Sequence, residues 1–273
     1  MMEEKILTQI MQAARGAGEI MRNAHDAENV RHSKEGHANF VTEYDEKVQE
    51  YLIRELSRIL PEAAFVGEEE GQETFSESYK KGYTFVIDPI DGTSNFMKQY
   101  RPSVTSIGLM KDGEPWAGVI YYPYGDDMYS AWKGKGAFKN GRPIHSTEER
   151  LSDNLVAFGT SPYYAPEVSH AAFEMAFHYL SRCIDVRRSG ACAYDLCMVA
   201  CGATGLYCEP CVSLWDYAAG ACIVQEAGGL VTDLWGKPLS FTGKSSILAV
   251  GAGVLKEDYL PPAELLGAVA AMF

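Results

Sequence analysis

The chain is short of positive charge and lacks membrane-length apolar runs and dispersed cysteines, and each shortage argues against a class of function. Its 24 Lys and Arg against 37 Asp and Glu leave a formal charge of −13. Such a field repels nucleic-acid backbones and anionic membrane surfaces unless cations intervene, so neither is expected as a partner. No stretch approaches the roughly 20 apolar residues of a membrane span. Met1-Met2-Glu3-Glu4-Lys5 has neither the basic start nor the apolar run of a signal peptide. The seven cysteines all fall between Cys183 and Cys222, too clustered to staple a scaffold, and a reducing cytoplasm is expected. Cys208-Glu209-Pro210-Cys211 has no second C-x-x-C to complete a zinc site, and Cys197 and Cys201 suit one helix face. Buried, thiol-bearing small hydrophobes are the better reading.

Familiar catalytic signatures are missing too. Gly134-Lys135-Gly136 is no Walker loop, there is no G-x-S-x-G, and the six histidines form no H-E-x-x-H. With no protein nucleophile in evidence, water is left as the attacking group. Repeats, low-complexity tracts and long linkers are also absent.

What is present is enough for a large core: 273 residues, 47% of them hydrophobic, as one big domain or two ordinary ones. Ile6, Ile10, Ala13, Ala17, Ile20 and Met21 recur at helical spacing and predict a helix over 3–24. Val48, Tyr51, Leu52, Leu56, Ile59 and Leu60 predict a second over 44–60. Residues 83–87 read as a buried strand ending at Asp88, because Pro89 pushes the preceding residue toward extended geometry. Runs at 104–110, 117–122 and 128–132, broken by turn signals at Asp112-Gly113, 124–127 and Asn140-Gly141, predict an antiparallel meander. After about Ser146 the rhythm becomes α/β, with a strand at 155–160, a helix at 166–180 and further alternation to 246–250. Parts 1–147 and 148–273 are therefore expected to meet at a cleft rather than a hinge.

Asp88 and Asp91, with Pro89 fixing the chain between them, can converge on a divalent cation. Glu68-Glu69-Glu70 follows the apolar 63–66, and Asp216 opens a helix running through Ala218, Cys222, Ile223 and Val224. Each has a bland alternative: a solvated acidic run, a helix N-cap, a turn. The acidic pair immediately after a buried strand favours the cation, since unpaired negative charge is costly there. Gly92-Thr93-Ser94-Asn95 then suits either a phosphate nest of backbone N–H groups or a merely capped turn.

Gly67-Glu68-Glu69, Asp88 to Asn95 and Trp215-Asp216-Tyr217-Ala218-Ala219-Gly220 together resemble, in order and approximate spacing, the signatures of the inositol monophosphatase family of magnesium-dependent, lithium-sensitive phosphatases. The similarity runs from the first helix to about Gly251. It implies a layered α-β-α-β-α sandwich of α+β and α/β character, fructose-1,6-bisphosphatase-like, with an antiparallel N-terminal sheet and a mixed C-terminal sheet. It also implies two or three Mg2+ ions. Glu68, Asp88 and the Ile90 carbonyl would hold one, Asp88, Asp91 and Asp216 a second, and Glu68 would share a weaker third. Thr93, paired with Asp45, would position and deprotonate the water, although Asp45 by itself reads as an exposed helix-start acid. The Gly92, Thr93 and Ser94 amides would hold the phosphate, with Lys34 neutralising charge nearby and Glu69 and Arg188 as further candidates.

Asp91, Gly190, Ala191 and Glu209 match the positions facing the leaving alcohol, Glu209 as an acceptor for ring hydroxyls. Many relatives carry G-[ST]-A-A where this chain has Gly190-Ala191-Cys192-Ala193, so one hydroxyl is missing. The implied activity is hydrolysis of inositol monophosphate or a related sugar phosphate by a homodimer. Fructose 1,6-bisphosphate, histidinol phosphate and 3′-phosphoadenosine 5′-phosphate remain alternative substrates, as does a catalytically silent interaction protein on the same scaffold. Arg187 and Arg188 could meet a second phosphate or a subunit contact.

Overall fold

The computed structural model describes residues 2–25, 31–33, 40–69 and 81–273. Helix α1 (Met2–Arg22), strands β1 (Arg31–Ser33) and β2 (Phe40–Thr42) and helix α2 (Glu43–Ile59) open the chain. Strands β3 (Ala64–Gly67) and β4 (Tyr83–Asp91) follow, then the short helix α3 (Thr93–Lys98). A meander comes next: β5 (Val104–Lys111), β6 (Glu114–Tyr122), β7 (Asp127–Trp132), β8 (Ala137–Lys139) and β9 (Arg142–Ile144). The remainder alternates β10 (Leu155–Phe158), α4 (Pro166–Leu180), β11 (Asp185–Arg187), α5 (Cys192–Ala200), β12 (Leu206–Val212), α6 (Leu214–Glu226), β13 (Leu230–Thr232) and β14 (Ser245–Val250).

The first sheet has seven strands in the order β3-β4-β5-β6-β7-β8-β9, all paired antiparallel except β3 on β4, which is parallel. That edge pair refines the antiparallel sheet expected from the meander; a parallel pair needs a long crossover, and the connection from 67 to 83 supplies one. The second sheet, β11-β10-β12-β14-β13, is mixed.

Side-chain alternation along the strands stacks these sheets into layers. Phe85, Ile87, Ile107, Leu109 and Val119 point to one face and pack with Ile10, Ala17, Val48 and Leu52 of α1 and α2. Val86, Met110, Ile120 and Tyr129 point to the other and meet α5 and α6, which also cover Tyr207, Ile247 and Ala249 of the second sheet. Leu206, Cys208, Leu248 and Val250 face outward again, onto Ala171, Met175 and Tyr179 of α4. The order is helices, sheet, helices, sheet, helix, as the resemblance implied. Five of the seven free cysteines, Cys192, Cys197, Cys208, Cys211 and Cys222, are buried in this packing. No helix among the described residues is long and apolar enough to cross a membrane.

Two details position α6. A Cβ on Gly118 would lie 2.3 Å from the Ala219 carbonyl oxygen, so the bare glycine lets the helix sit directly on β6. At the far end, the Glu226 carboxylate accepts the backbone N–H groups of Gly134, Lys135 and Gly136 at 2.8, 3.1 and 2.8 Å, clamping the helix to the β7–β8 turn. Glu226→Ala strips three donors of a charged acceptor and is expected to cost about 1–3 kcal/mol, read as a lower urea midpoint at unchanged slope.

Strand β4 does not stop at Asp88. It continues to Asp91 across a break in its pairing with β5 between Asp88 and Asp91. Pro89 has no N–H to give the ladder, so the irregularity falls there and presents both acids at the sheet's end.

Candidate active site

A cavity of about 900 Å³ opens between the two sheets, at the end of β4. It gathers most of the expected residues: Glu68, Asp88, Ile90, Asp91, Gly92, Thr93, Ser94, Arg188, Gly190, Ala191, Glu209 and Asp216. Glu69 does not line it; its backbone is docked on the Gln49 side chain of α2, whose Oε1 accepts the Glu69 N–H at 3.1 Å. Lys34 and Glu70 lie outside the described residues.

Asp88 is 2% exposed, and its Oδ1 is buried without a hydrogen-bond partner. Burial, then the charges of Glu68, Asp91, Asp216 and Asp45, push its carboxyl well above the usual carboxylate range. Asp216 is raised in the same way, by burial and then by Glu68 and Asp91. Burial lifts Asp91 to about 7, opposed by the backbone N–H of Ala193.

Both outlying acids are built by the same local device. Asp216 is not the N-cap of α6 but its N3 residue: Ser213 caps the helix, and Asp216 Oδ2 accepts the Ser213 N–H at 2.6 Å. Asp45 is likewise N3 of α2, its Oδ2 accepting the Thr42 N–H at 2.8 Å and hydroxyl at 2.6 Å. Far from being an exposed acid, Asp45 is fully buried, because this end of α2 packs against the first sheet; it reaches the cavity only through Thr93. Its Oδ1 lies 3.3 Å from the Thr93 hydroxyl, which has the Ile90 carbonyl oxygen at 3.1 Å as its other acceptor.

Gly92, the N-cap of α3, has a φ of +83°. A Cβ there would also lie 3.1 Å from both Ala191 Cβ and the Pro102 carbonyl oxygen, so glycine is favoured by conformation and the space for a side chain is tight. The first N–H groups of α3 consequently have no partner one turn earlier.

Glu209 is more occupied than expected. Its Oε1 accepts the Ser161 N–H at 3.0 Å and its Oε2 the Tyr207 hydroxyl at 2.5 Å; the Ser161 hydroxyl, also 3.0 Å from Oε1, has the Cys211 carbonyl oxygen nearer, at 2.8 Å. Two of roughly four lone-pair directions of the carboxylate are thereby committed and the Ser161 hydroxyl can take a third, leaving room for one or two ligand hydroxyls. Ser161 holds this geometry at φ +44°, and a Cβ on Gly159 would strike Glu209 Oε2 at 2.0 Å. Tyr207, Ser161, Gly159 and Asp195 escaped the sequence reading. Tyr207 alone carried a usable signal there, two residues from Glu209 on one strand face.

The donor set, carboxylates plus one carbonyl, suits a hard divalent cation, and the orphaned Asp88 Oδ1 fits one. Among the described residues no three His, Cys, Asp or Glu side chains are grouped to hold an ion as they stand. The fit therefore rests on the crowding of like charge around a buried oxygen. A pH dependence follows. Unfolded, these aspartates titrate near 4, whereas in the cation-free fold they keep their protons to higher pH. The folded state thus binds more protons than the unfolded chain between about pH 4 and 7, and stability falls as pH rises through that window. Melting of EDTA-treated protein should show this fall, with added Mg2+ reversing it at pH 7. A melting temperature that stays flat or rises from about pH 5 to 7 would contradict it.

The model of the inositol monophosphatase family matches residues 2–266. Inositol monophosphatase 1 of Solanum lycopersicum is 33% identical over 96% of this chain and 96% of its own. The Nus factor SuhB of Xylella fastidiosa is 32% identical over 86% of this chain and 84% of its own. Among solved structures, inositol monophosphatase II of Staphylococcus aureus superposes with a TM-score of 0.82 at 26% identity, covering 100% of this chain and 99% of that one. The family match takes in both sheets and every acid lining the cavity, and the chain belongs to the inositol monophosphatase family.

Proposed function

We propose that this family member is a magnesium-dependent phosphomonoesterase that hydrolyses inositol monophosphate or a related sugar phosphate with water as the nucleophile. The observation that carries this is Asp88 Oδ1, buried and unpartnered beside Glu68, Asp91 and Asp216 in a cavity that reaches Glu209. Glu68, Asp88 and the Ile90 carbonyl would hold one Mg2+, Asp88, Asp91 and Asp216 a second, with Glu68 shared by a third. Bound divalent ions supply Lewis acidity: they neutralise charge on the phosphoryl oxygens and lower the pKa of water.

The chain's own residues do the rest. Asp45 cannot rotate, because its Oδ2 is committed to Thr42, so its Oδ1 is held ready to take the Thr93 hydroxyl proton. Thr93 Oγ1 in turn accepts a hydrogen bond from the attacking water and orients it. The backbone N–H groups at the start of α3 receive the phosphoryl oxygens, and Glu209 takes one hydroxyl of the alcohol.

Phosphate release with and without Mg2+ tests this across inositol monophosphates, sugar phosphates, fructose 1,6-bisphosphate, histidinol phosphate and 3′-phosphoadenosine 5′-phosphate. Turnover should require Mg2+, stop in EDTA and favour the monophosphates of cyclic polyols; no turnover on any of them rejects the proposal.

A second reading, a regulatory binding partner on the same scaffold, is favoured by the relative named a Nus factor and by one surface. Phe173, Phe177 and Leu180 of α4, with Ile184 beyond it, are exposed large apolar side chains. A homodimer would cover the same row, and light scattering of Phe177→Ser against the parent separates self-association from a free surface.

A further inference from the structure

Asp195 is a buried acid in the cavity wall that the reaction above does not use. It is 4% exposed, and its hydrogen bond among the described residues comes from the Ser189 hydroxyl at 2.6 Å. Burying a carboxylate is costly, and the other buried residues of α5 are apolar or thiol-bearing.

Its effect becomes visible by following Ser189. The Ser189 hydroxyl oxygen accepts the Ala191 N–H at 3.0 Å. Its single proton has two acceptors in reach, Asp195 Oδ2 at 2.6 Å and the Ala191 carbonyl at 3.2 Å. Asp195 Oδ2 is the nearer acceptor by a wide margin, so Asp195 decides which way the hydroxyl points and keeps its lone pairs turned to the Ala191 N–H. From the first half of the chain, Asn95 Nδ2 donates to the Ser189 carbonyl at 2.9 Å and to the Pro102 carbonyl at 2.6 Å. Residues 189–191 are thereby pinned from both halves.

Ala191 is the N-cap of α5 and has no side chain to cap with. The helix borrows its caps instead. Ser189 takes the Ala191 N–H, and the next two, those of Cys192 and Ala193, go to Asp91 Oδ1 and Oδ2 at 3.2 and 2.7 Å. The orientation of the Asp91 carboxylate therefore depends on where the first turn of α5 lies, and that turn is set by residues 189–191.

The geometry points to Asp195 as a positioning residue: acting through Ser189, it fixes the start of α5, which in turn aims Asp91 at a divalent cation. It rests on the proposed role of Asp91 as a cation ligand, and it extends to Gly190 and Ala191, whose place in the cavity wall is set by the same latch.

The test is Mg2+ binding by titration calorimetry in the absence of substrate, on the parent, Ser189→Ala, Asp195→Ala, the double variant and Asp195→Asn, with thermal melts to confirm folding. Loss of a group that orients a ligand weakens metal affinity about 10- to 100-fold. Ser189→Ala and Asp195→Ala should each show about a tenfold loss, and the double variant no more than either, because both remove one latch. Asp195→Asn keeps an oxygen for the hydroxyl and should stay within about threefold of the parent. Folded Asp195→Ala with parental affinity, additive losses in the double variant, or Asp195→Asn as weak as Asp195→Ala each overturn the latch. A parent that binds Mg2+ but releases no phosphate defeats the proposed function and leaves the latch standing. A parent that binds no Mg2+ defeats the ligand role of Asp91 and the latch with it.

Discussion

Asp88→Asn is expected to lower Mg2+-dependent kcat/KM at least about a thousandfold while leaving a folded protein with the parent's far-UV spectrum. The amide keeps the shape of the side chain but removes the charge nearest the centre of the carboxylate group. A site that loses several kcal/mol of transition-state charge stabilisation loses a factor of ten for each 1.4 kcal/mol or so. A second consequence separates this from misfolding. Without cations the substitution relieves the like-charge crowding from Glu68, Asp91 and Asp216 around a buried oxygen. The EDTA-treated variant should therefore melt no lower than the EDTA-treated parent at pH 7, and lose much of the parent's gain from Mg2+. Near-parental turnover would remove Asp88 from the cation site.

Thr93→Ala is expected to reduce kcat about 10²- to 10⁴-fold, the usual yield of a positioned proton-transfer group, with little change in KM. Thr93 Oγ1 stands between Asp45 Oδ1 and the Ile90 carbonyl, at 3.3 and 3.1 Å. Alanine keeps the backbone N–H of the proposed phosphate nest and deletes only the hydroxyl. Thr93→Ser should recover most of the rate. Asp45→Asn should resemble Thr93→Ala, and the double variant should be little worse than either, since the two act as one relay. A rise in KM with kcat intact would instead make Thr93 a ground-state binding residue and take the relay away.

The parts of this protein legible in its sequence are those governed by short-range rules. Helical periodicity marks α1, α2 and α4 to within a few residues, and turn chemistry marks the meander, because both depend on neighbours within a few positions. The pairing of Asp88 with Asp91 around Pro89, and the acids that open α2 and α6, are equally local patterns. The capping boxes that make Asp45 and Asp216 N3 residues are local too, running from Thr42 to Asp45 and from Ser213 to Asp216.

What only the tertiary structure decided are contacts between residues far apart in the chain. Asp45 meets Thr93 across 48 positions, Glu209 is held by Ser161 across 48, and Asp91 caps α5 across 101 and 102. None of these follows from propensity or period, because each exists only after the elements have been layered: α2 on the β4 face for Asp45, β10 beside β12 for Glu209, and α5 between the two sheets for Asp91. The same layering made Asp45 buried rather than exposed and tied up about half of the Glu209 carboxylate. It also placed Asp195, an unremarked acid within an apolar helix, beside the loop that aims Asp91. The sequence by itself determined which carboxylates are available and where each helix begins; the stacking of the layers decided which of them face one another, because burial and charge crowding are properties of neighbours in space.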